Sequence, residues 1–200
     1  MVLAQYSEDQ RDCLQEICNV AMGQAGGALA RKLGVFVTLL IPIIHIIEAR
    51  ELSVSLNNFS SSINIYAASQ LFASQSDAND LEGLALVVLS EDSLVDLKEL
   101  LSPSLSPDEL VADTCLNMAQ TCLDALSEQW GLGFQCEVPT LVGYESLHTI
   151  CQSVVEGWSN ILVVEINYQL AGRPFNGDLI LLFPDQAIAA MALRLDELLI

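Results

Sequence analysis

The stretch SEDQRDCLQEICNVAMGQAGGALARKLG, Ser7 to Gly34, decides how this chain is read. Ser7 is a good N-cap, since its hydroxyl can accept from an otherwise orphaned first-turn amide, and Glu8 and Asp9 follow where the helix dipole favours negative charge. Gly34 stands where a left-handed cap ends a helix at least cost. With Asp12 as angular origin, Glu16 falls at about 40° and Asn19 at about −20°. Gly23, Gly26 and Ala30 continue that stripe within about 40° of the origin. Leu14, Ile17, Cys18, Ala21, Ala25, Ala28 and Leu29 gather on the opposite side, which is therefore the side to be buried. One helix hides an apolar face and offers an acid, an acid and an amide in a row, followed by a nearly bare surface.

The 200 residues suffice for one sizeable core or two small ones, and 52% hydrophobic content argues against disorder. The mean hydropathy is +0.44. Formal charge is −19, from 26 acidic and 7 basic residues, and no Lys or Arg falls between Lys98 and Arg173. Nucleic acid and anionic membrane are bound through clustered Lys and Arg, so neither is expected as a partner. A partner with a basic patch would be steered toward this surface.

The N-terminus MVLAQYSEDQ has neither a basic region nor an apolar run suited to a signal peptide. The longest apolar run, Val35 to Ile47, holds Thr38, Pro42 and His45 and is well short of the roughly 20 residues of a spanning helix. A cytoplasmic location is the expectation. Cys13, Cys18, Cys115, Cys122, Cys136 and Cys151 make no C-x-x-C pair, and all but Cys136 fall in predicted helices, where a free thiol behaves as a small apolar side chain. No metal is expected.

After the first helix, Val35 to Ile41 reads as a buried strand that Pro42 ends or marks as an edge. Glu48 to Leu56 reads as a short helix and Asn57 to Ser62 as a polar loop. Strands follow from Ile63 and over Gly83 to Leu89, separated by a turn at Asp77 to Asn79, and Ser90 caps a helix through Leu101. The second half repeats this order. Ser106, Pro107, Asp108 and Glu109 open a helix that runs to Trp130 and closes at Gly131. Phe134 to Val138 reads as a strand ending at Pro139, Glu145 to Trp158 as a helix, Ile161 to Leu170 and Asp178 to Phe183 as strands, and Asp185 to Leu199 as a final helix.

Laying ALARKLG, Ala28 to Gly34, on ALSEQWG, Ala125 to Gly131, sets an offset of 97 residues (125 − 28), and the same offset carries Pro42 onto Pro139. The expectation is one α/β domain over residues 1–200, built from repeats of about 1–101 and 102–200. Two long helices related by a pseudo-two-fold axis would pack on a shared mixed sheet, since neither half alone has the apolar surface for its own core.

Asp12, Glu16, Asn19 and Pro42 fill the pattern Asp/Ser, three residues, Glu, two residues, Asn, twenty-two residues, Pro. This pattern resembles the signature of the CheC, CheX and FliY family of chemotaxis phosphatases, whose duplicated helix-and-strand layout would cover the whole chain. The resemblance implies dephosphorylation of a phosphorylated CheY-like response regulator, with Mg²⁺ held in the partner and no cofactor of this chain's own. Such a reaction needs mainly a positioned water, and an amide can accept from that water while its NH₂ donates elsewhere.

On that reading Asn19 orients the water, Glu16 anchors the amide by pairing with a lysine of the partner, and Asp12 caps or docks. Gly23 and Gly26 either let the partner's backbone lie close or reflect tight packing within this protein. The same offset places Glu109, Asp113 and Leu116 where Asp12, Glu16 and Asn19 stand, so the second site lacks the amide. Asn117 is about 100° away around the helix. Leu116 on a nominally exposed stripe suggests a surface for a second copy or another partner.

No serine or cysteine at a nucleophile elbow accompanies His45 or His148, and G-Q-A-G-G lies inside a helix with no strand before it, so neither a hydrolase triad nor a nucleotide fingerprint is present. Two classes remain: a phosphatase acting through Glu16 and Asn19, and a non-catalytic module of the same fold that docks a response regulator, a CheD-like deamidase or a flagellar switch component.

Overall fold

The computed structural model describes residues 6–52, 65–75, 82–131, 133–143 and 155–199. The opening stretch forms helix α1, Glu8–Leu33, with Ser7 and Gln10 closing a reciprocal capping box and Gly34 in the left-handed conformation at φ 68°. It is followed by strands β1, Val37–Leu39, and β2, Ile43–Glu48, and by a 3₁₀ turn, Ala49–Glu51. Strands β3, Ile65–Ser74, and β4, Glu82–Ser90, lead into helix α2, Glu91–Leu100. The second half has helix α3, Pro107–Trp130, strands β5, Phe134–Cys136, β6, Thr140–Val142, β7, Asn160–Leu170, and β8, Asn176–Pro184, and helix α4, Asp185–Leu198.

The eight strands among the described residues belong to one sheet in the order β1-β7-β8-β4-β3-β5, with β2 beside β1 on the edge of β7 and β6 beside β5 on the edge of β3. Every pairing is antiparallel. The expected mixed sheet is thus corrected: β3–β4 and β7–β8 are adjacent antiparallel strands, and the two pairs meet across β4 and β8 in an antiparallel ladder. The central strands are buried on both faces. Ala85, Val87 and Leu89 look toward one cluster of core residues and Leu84, Leu86 and Val88 toward the other. The first cluster lies under the four helices and the second is closed by Leu52 and Val155 among the described residues.

The two halves interleave. Strands β1 and β5 start 97 residues apart (134 − 37), as do β2 and β6 (140 − 43), and each pair hydrogen-bonds to the long strand of the opposite half. Val37 faces Leu170 and Phe134 faces Ser74, so the exchange keeps its register. On the central ladder Leu86 faces Ile180, which stands 94 residues on (180 − 86) where β4 maps onto β8.

Several local expectations are revised. The strand expected over Val35 to Ile41 is only β1, and the apolar residues after Pro42 form a second strand. Leu39 is opposite Tyr168 and Ile43 opposite Glu165, so the edge carries three residues, Leu40 to Pro42, against two on β7. This is a bulge, and Pro42, which has no N–H to give the ladder, stands inside it. Pro139 lies in the matching gap between β5 and β6, which shortens the strand expected to reach Val138. Of the helix expected over Glu48 to Leu56, Ala49–Glu51 form a 3₁₀ turn, Leu52 is helical and residues 53–56 lie outside the described residues; Val155 to Trp158, expected to end a helix, form a turn with Gly157 at φ 91°. The loop from Asn57, the turn from Asp77, the rest of the helix expected from Glu145, His148 and Cys151 lie outside the described residues.

Gly83 on β4 is required by packing. A Cβ there would come within 2.5 Å of both the Leu182 carbonyl oxygen and the Phe72 ring, and backbone cannot yield as a side chain can. Gly83→Ala is expected to lower the unfolding free energy by about 2 kcal/mol, read as a shift of the urea midpoint at unchanged slope.

Candidate functional site

Helix α1 is held at both ends. At its start Gln10, having closed the capping box, donates from Nε2 to Asp196 Oδ1 at 2.7 Å and to the Ala192 carbonyl at 3.2 Å, while the Tyr6 hydroxyl donates to the Ile188 carbonyl at 3.0 Å. These contacts tie the first turn to α4. Leu14, Ile17, Cys18, Ala21, Ala25 and Leu29 are buried as expected, with Ala28 only partly so. Among the described residues no thiol is in a disulfide, and burial pushes the Cys122 thiol up to about 12, as befits a packing residue.

The polar stripe faces outward. Asp12 and Glu16 are exposed and Asn19 is half-buried, and none of the three has a hydrogen-bond or ion-pair partner among the described residues. Residues three apart on a helix lie about 5–6 Å apart at Cβ, so the Glu16 carboxylate and the Asn19 amide can address one bound group. A shallow depression of about 370 Å³ runs along one side of the stripe, walled by Asp9, Asp12 and Glu16 and floored by Ile17, Val20 and Leu199. On the other side Asp12 borders a cleft of about 220 Å³ with Arg11, Gln15 and His45. His45 lies 3.7 Å from Glu165, and burial lowers its pKa, which favours the neutral imidazole.

The two glycines of the stripe part company. A Cβ at Gly23 would meet nothing within 4 Å, so the backbone is open there. At Gly26 a Cβ would stand 2.6 Å from Leu39 Cδ1. Gly26 is buried under β1, and its smallness serves internal packing; the bare surface expected at this position is absent. Pro42 is brought to the same helix by a contact that spacing did not reveal: Gln15 Nε2 donates to the Pro42 carbonyl at 3.2 Å. The only sequence signal was that Gln15 lies at about −60° on the helix, on the flank of the stripe nearer Asn19.

The second helix keeps the frame but not the free polar row. Its N-cap is Ser106, two residues later than the offset would place the counterpart of Ser7, so Glu109 falls at N3 of a capping box. Its carboxylate accepts from the Ser106 amide and hydroxyl, both at 2.8 Å, and these bonds hold it below the usual glutamate range. Asp113 is 2.7 Å from Lys32 in the last turn of α1. Leu116 is 45% exposed where the first helix presents its amide. Both acids are therefore engaged, and the third position has no polar group.

The fold resembles known structures. The chain matches Thermotoga maritima FliY with a TM-score of 0.68 at 18% identity, covering 98% of this chain and 99% of that one. This chain has the fold of FliY, CheX and the FliM middle domain. A chain of the FliG–FliM complex from H. pylori matches at TM-score 0.59 and 13% identity, over 93% of this chain and 98% of that one. A chain of the CheX–CheY–BeF3–Mg²⁺ complex from Borrelia burgdorferi matches at TM-score 0.51 and 12% identity, over 84% and 97%. No protein-family model matches the sequence, nor does any curated protein. No helix among the described residues is long and apolar enough to cross a membrane.

The Lys32–Asp113 pair is partly solvated, with side chains 27% and 45% exposed, so its contribution to stability is small. Lys32→Met is expected to change the unfolding free energy by less than about 1 kcal/mol, measured by urea denaturation.

Proposed function

We propose that this chain is a phosphatase of a phosphorylated CheY-like response regulator, working at one site on α1. The observation that carries the reading is a half-buried amide, Asn19, that has no partner within the described residues and stands one turn from an equally unpartnered carboxylate, Glu16. Glu16 is exposed and Asn19 half-buried, so no bond within the described residues has to break before the two meet a partner from outside. The shared fold with FliY and CheX, and the occurrence of CheY in a complex with CheX, support the chemotaxis setting. A cytoplasmic location belongs to the same proposal.

The chemistry asked of the helix is small. Water attacks phosphorus in line, the bond from phosphorus to the aspartyl oxygen breaks, and inorganic phosphate and the free carboxylate result. The partner's Mg²⁺ bears the charge on the phosphoryl oxygens. Asn19 accepts a hydrogen bond from the water through its side-chain oxygen and so fixes the line of attack; an amide does this at any physiological pH because it does not titrate. Glu16 pairs with a lysine of the partner and sets the depth at which the amide enters. Asp12, further along the exposed stripe, and Gly23, whose backbone is open, contribute docking surface. With Glu109 and Asp113 engaged and Leu116 apolar, α3 adds no second site.

A second reading is favoured by the match to the FliG–FliM complex: the same face docks a response regulator, a CheD-like protein or a flagellar switch component without chemistry. Variants separate the two. On the phosphatase reading Asn19→Ala slows phosphate release from the phosphorylated regulator by about 100-fold while the melting temperature holds, and unchanged release would sink it. On the docking reading Asn19→Ala leaves function as it was, whereas Gly23→Trp, placed where the backbone is open, abolishes complex formation in a pull-down.

A further inference from the structure

The edge strand beside the stripe carries apolar side chains that the core does not use. Leu40, Ile41 and Ile43 are 51%, 79% and 58% exposed. Their position along α1 follows from two contacts. Leu39 lies against Gly26, and Pro42 accepts from Gln15. Gln15 and Gly26 are about 16 Å apart along the helix, and three residues of extended chain span about 10 Å. Leu40 and Ile41 therefore pass alongside Asn19 and Gly23. The bulge at Leu40 to Pro42 breaks the inward and outward alternation, which is why two consecutive apolar side chains both reach solvent.

We propose that Leu40, Ile41 and Ile43 form an apolar ledge that takes apolar side chains of the response regulator itself, and that Gln15 is the positioning residue that holds the ledge against α1. This rests on the phosphatase reading and specifies how its partner is gripped: a basic group of the regulator meets the wall of Asp9, Asp12 and Glu16, an apolar group meets the ledge, and Asn19 lies between them. The ledge is continuous with the candidate site, so a partner surface on which a basic group adjoins an apolar one would meet both at once. The second half supplies an internal contrast. Val138, the counterpart of Ile41 at the offset of 97 residues (138 − 41), is 85% exposed, but the counterpart of Gln15 is Ala112 (15 + 97), which cannot bond the Pro139 carbonyl, and the amide is gone. Exposed apolar surface thus occurs in both halves; the second-half loop is held from the sheet, by Gln70 Nε2 donating to the Glu137 carbonyl at 2.7 Å, and only the first-half loop is tied to a helix stripe that carries an unpartnered amide.

The test measures the dissociation constant of the full chain for beryllofluoride-activated CheY-like regulators of the same organism, together with phosphate release from their phosphorylated forms. Ile41→Ser is expected to weaken binding about tenfold and leave the turnover at saturation unchanged, whereas Val138→Ser leaves both unchanged. Gln15→Met, which keeps length but removes the donor, should weaken binding as Ile41→Ser does. Gln15→Lys, which restores a donor, should recover most of it, with melting curves confirming that each variant is folded. Parent affinity for folded Ile41→Ser, or an equal loss with Val138→Ser, overturns the ledge, and parent affinity for Gln15→Met overturns the role of Gln15. Full activity of Asn19→Ala with weakened binding by Ile41→Ser overturns the chemistry and keeps the ledge. Absence of binding to any regulator overturns both.

Discussion

The ladder between β4 and β8 is the constraint on which the rest depends. Both strands are apolar almost throughout and buried on both faces, so they can exist only in the middle of a sheet with material above and below. Leu86 facing Ile180 puts equivalent residues of the two halves opposite each other, and once that pairing is made, everything outward follows in twos. The long strands β3 and β7 add to either side, and each takes the short strands of the other half on its edge. Four helices then close one face, with α1 and α3 presenting Cys18, Ala21, Ala25, Cys115, Ala119 and Cys122 to a common core. Small side chains let two long helices share that face closely, and the outer flanks of both are left to solvent.

Within so regular a frame, differences of one or two residues decide what each outer flank becomes. Helix α3 starts two residues late relative to α1, and that alone moves Glu109 from the exposed body of the helix into its cap. Lys32, in the last turn of α1, reaches Asp113 because the helices run antiparallel. The same contact is not open to Glu16, whose neighbour near the end of α3 is Gln129. The two outer flanks therefore differ in geometry as well as in carrying an amide on one helix and a leucine on the other.

The bulge at Pro42 links this asymmetry to the candidate site. An uninterrupted edge strand would send alternate side chains into the core and leave its outer backbone groups free to pair with another chain. The extra residue and the missing proline N–H interrupt that edge, bend the strand over α1 and bring an apolar turn beside a polar helix. Gln15 makes this arrangement specific, since it gives the carbonyl of the buried Pro42 a donor from the helix.

Much of this was legible in the sequence. The caps at Ser7, Gly34, Ser106 and Gly131, the buried face of α1, the outward row Asp12, Glu16, Asn19 and the 97-residue spacing all depend on local propensity and helical period, which a linear string carries intact. Tertiary structure alone decided the rest. That the sheet is antiparallel, that Gly26 packs under Leu39 while Gly23 stays open, that Gln15 bonds Pro42, and that Lys32 neutralises Asp113 all depend on which distant residues meet. A glycine or a carboxylate has the same local preferences whether it faces solvent or a neighbouring strand, so its role is fixed only when the long-range pairing of β4 with β8 sets the register of everything around it.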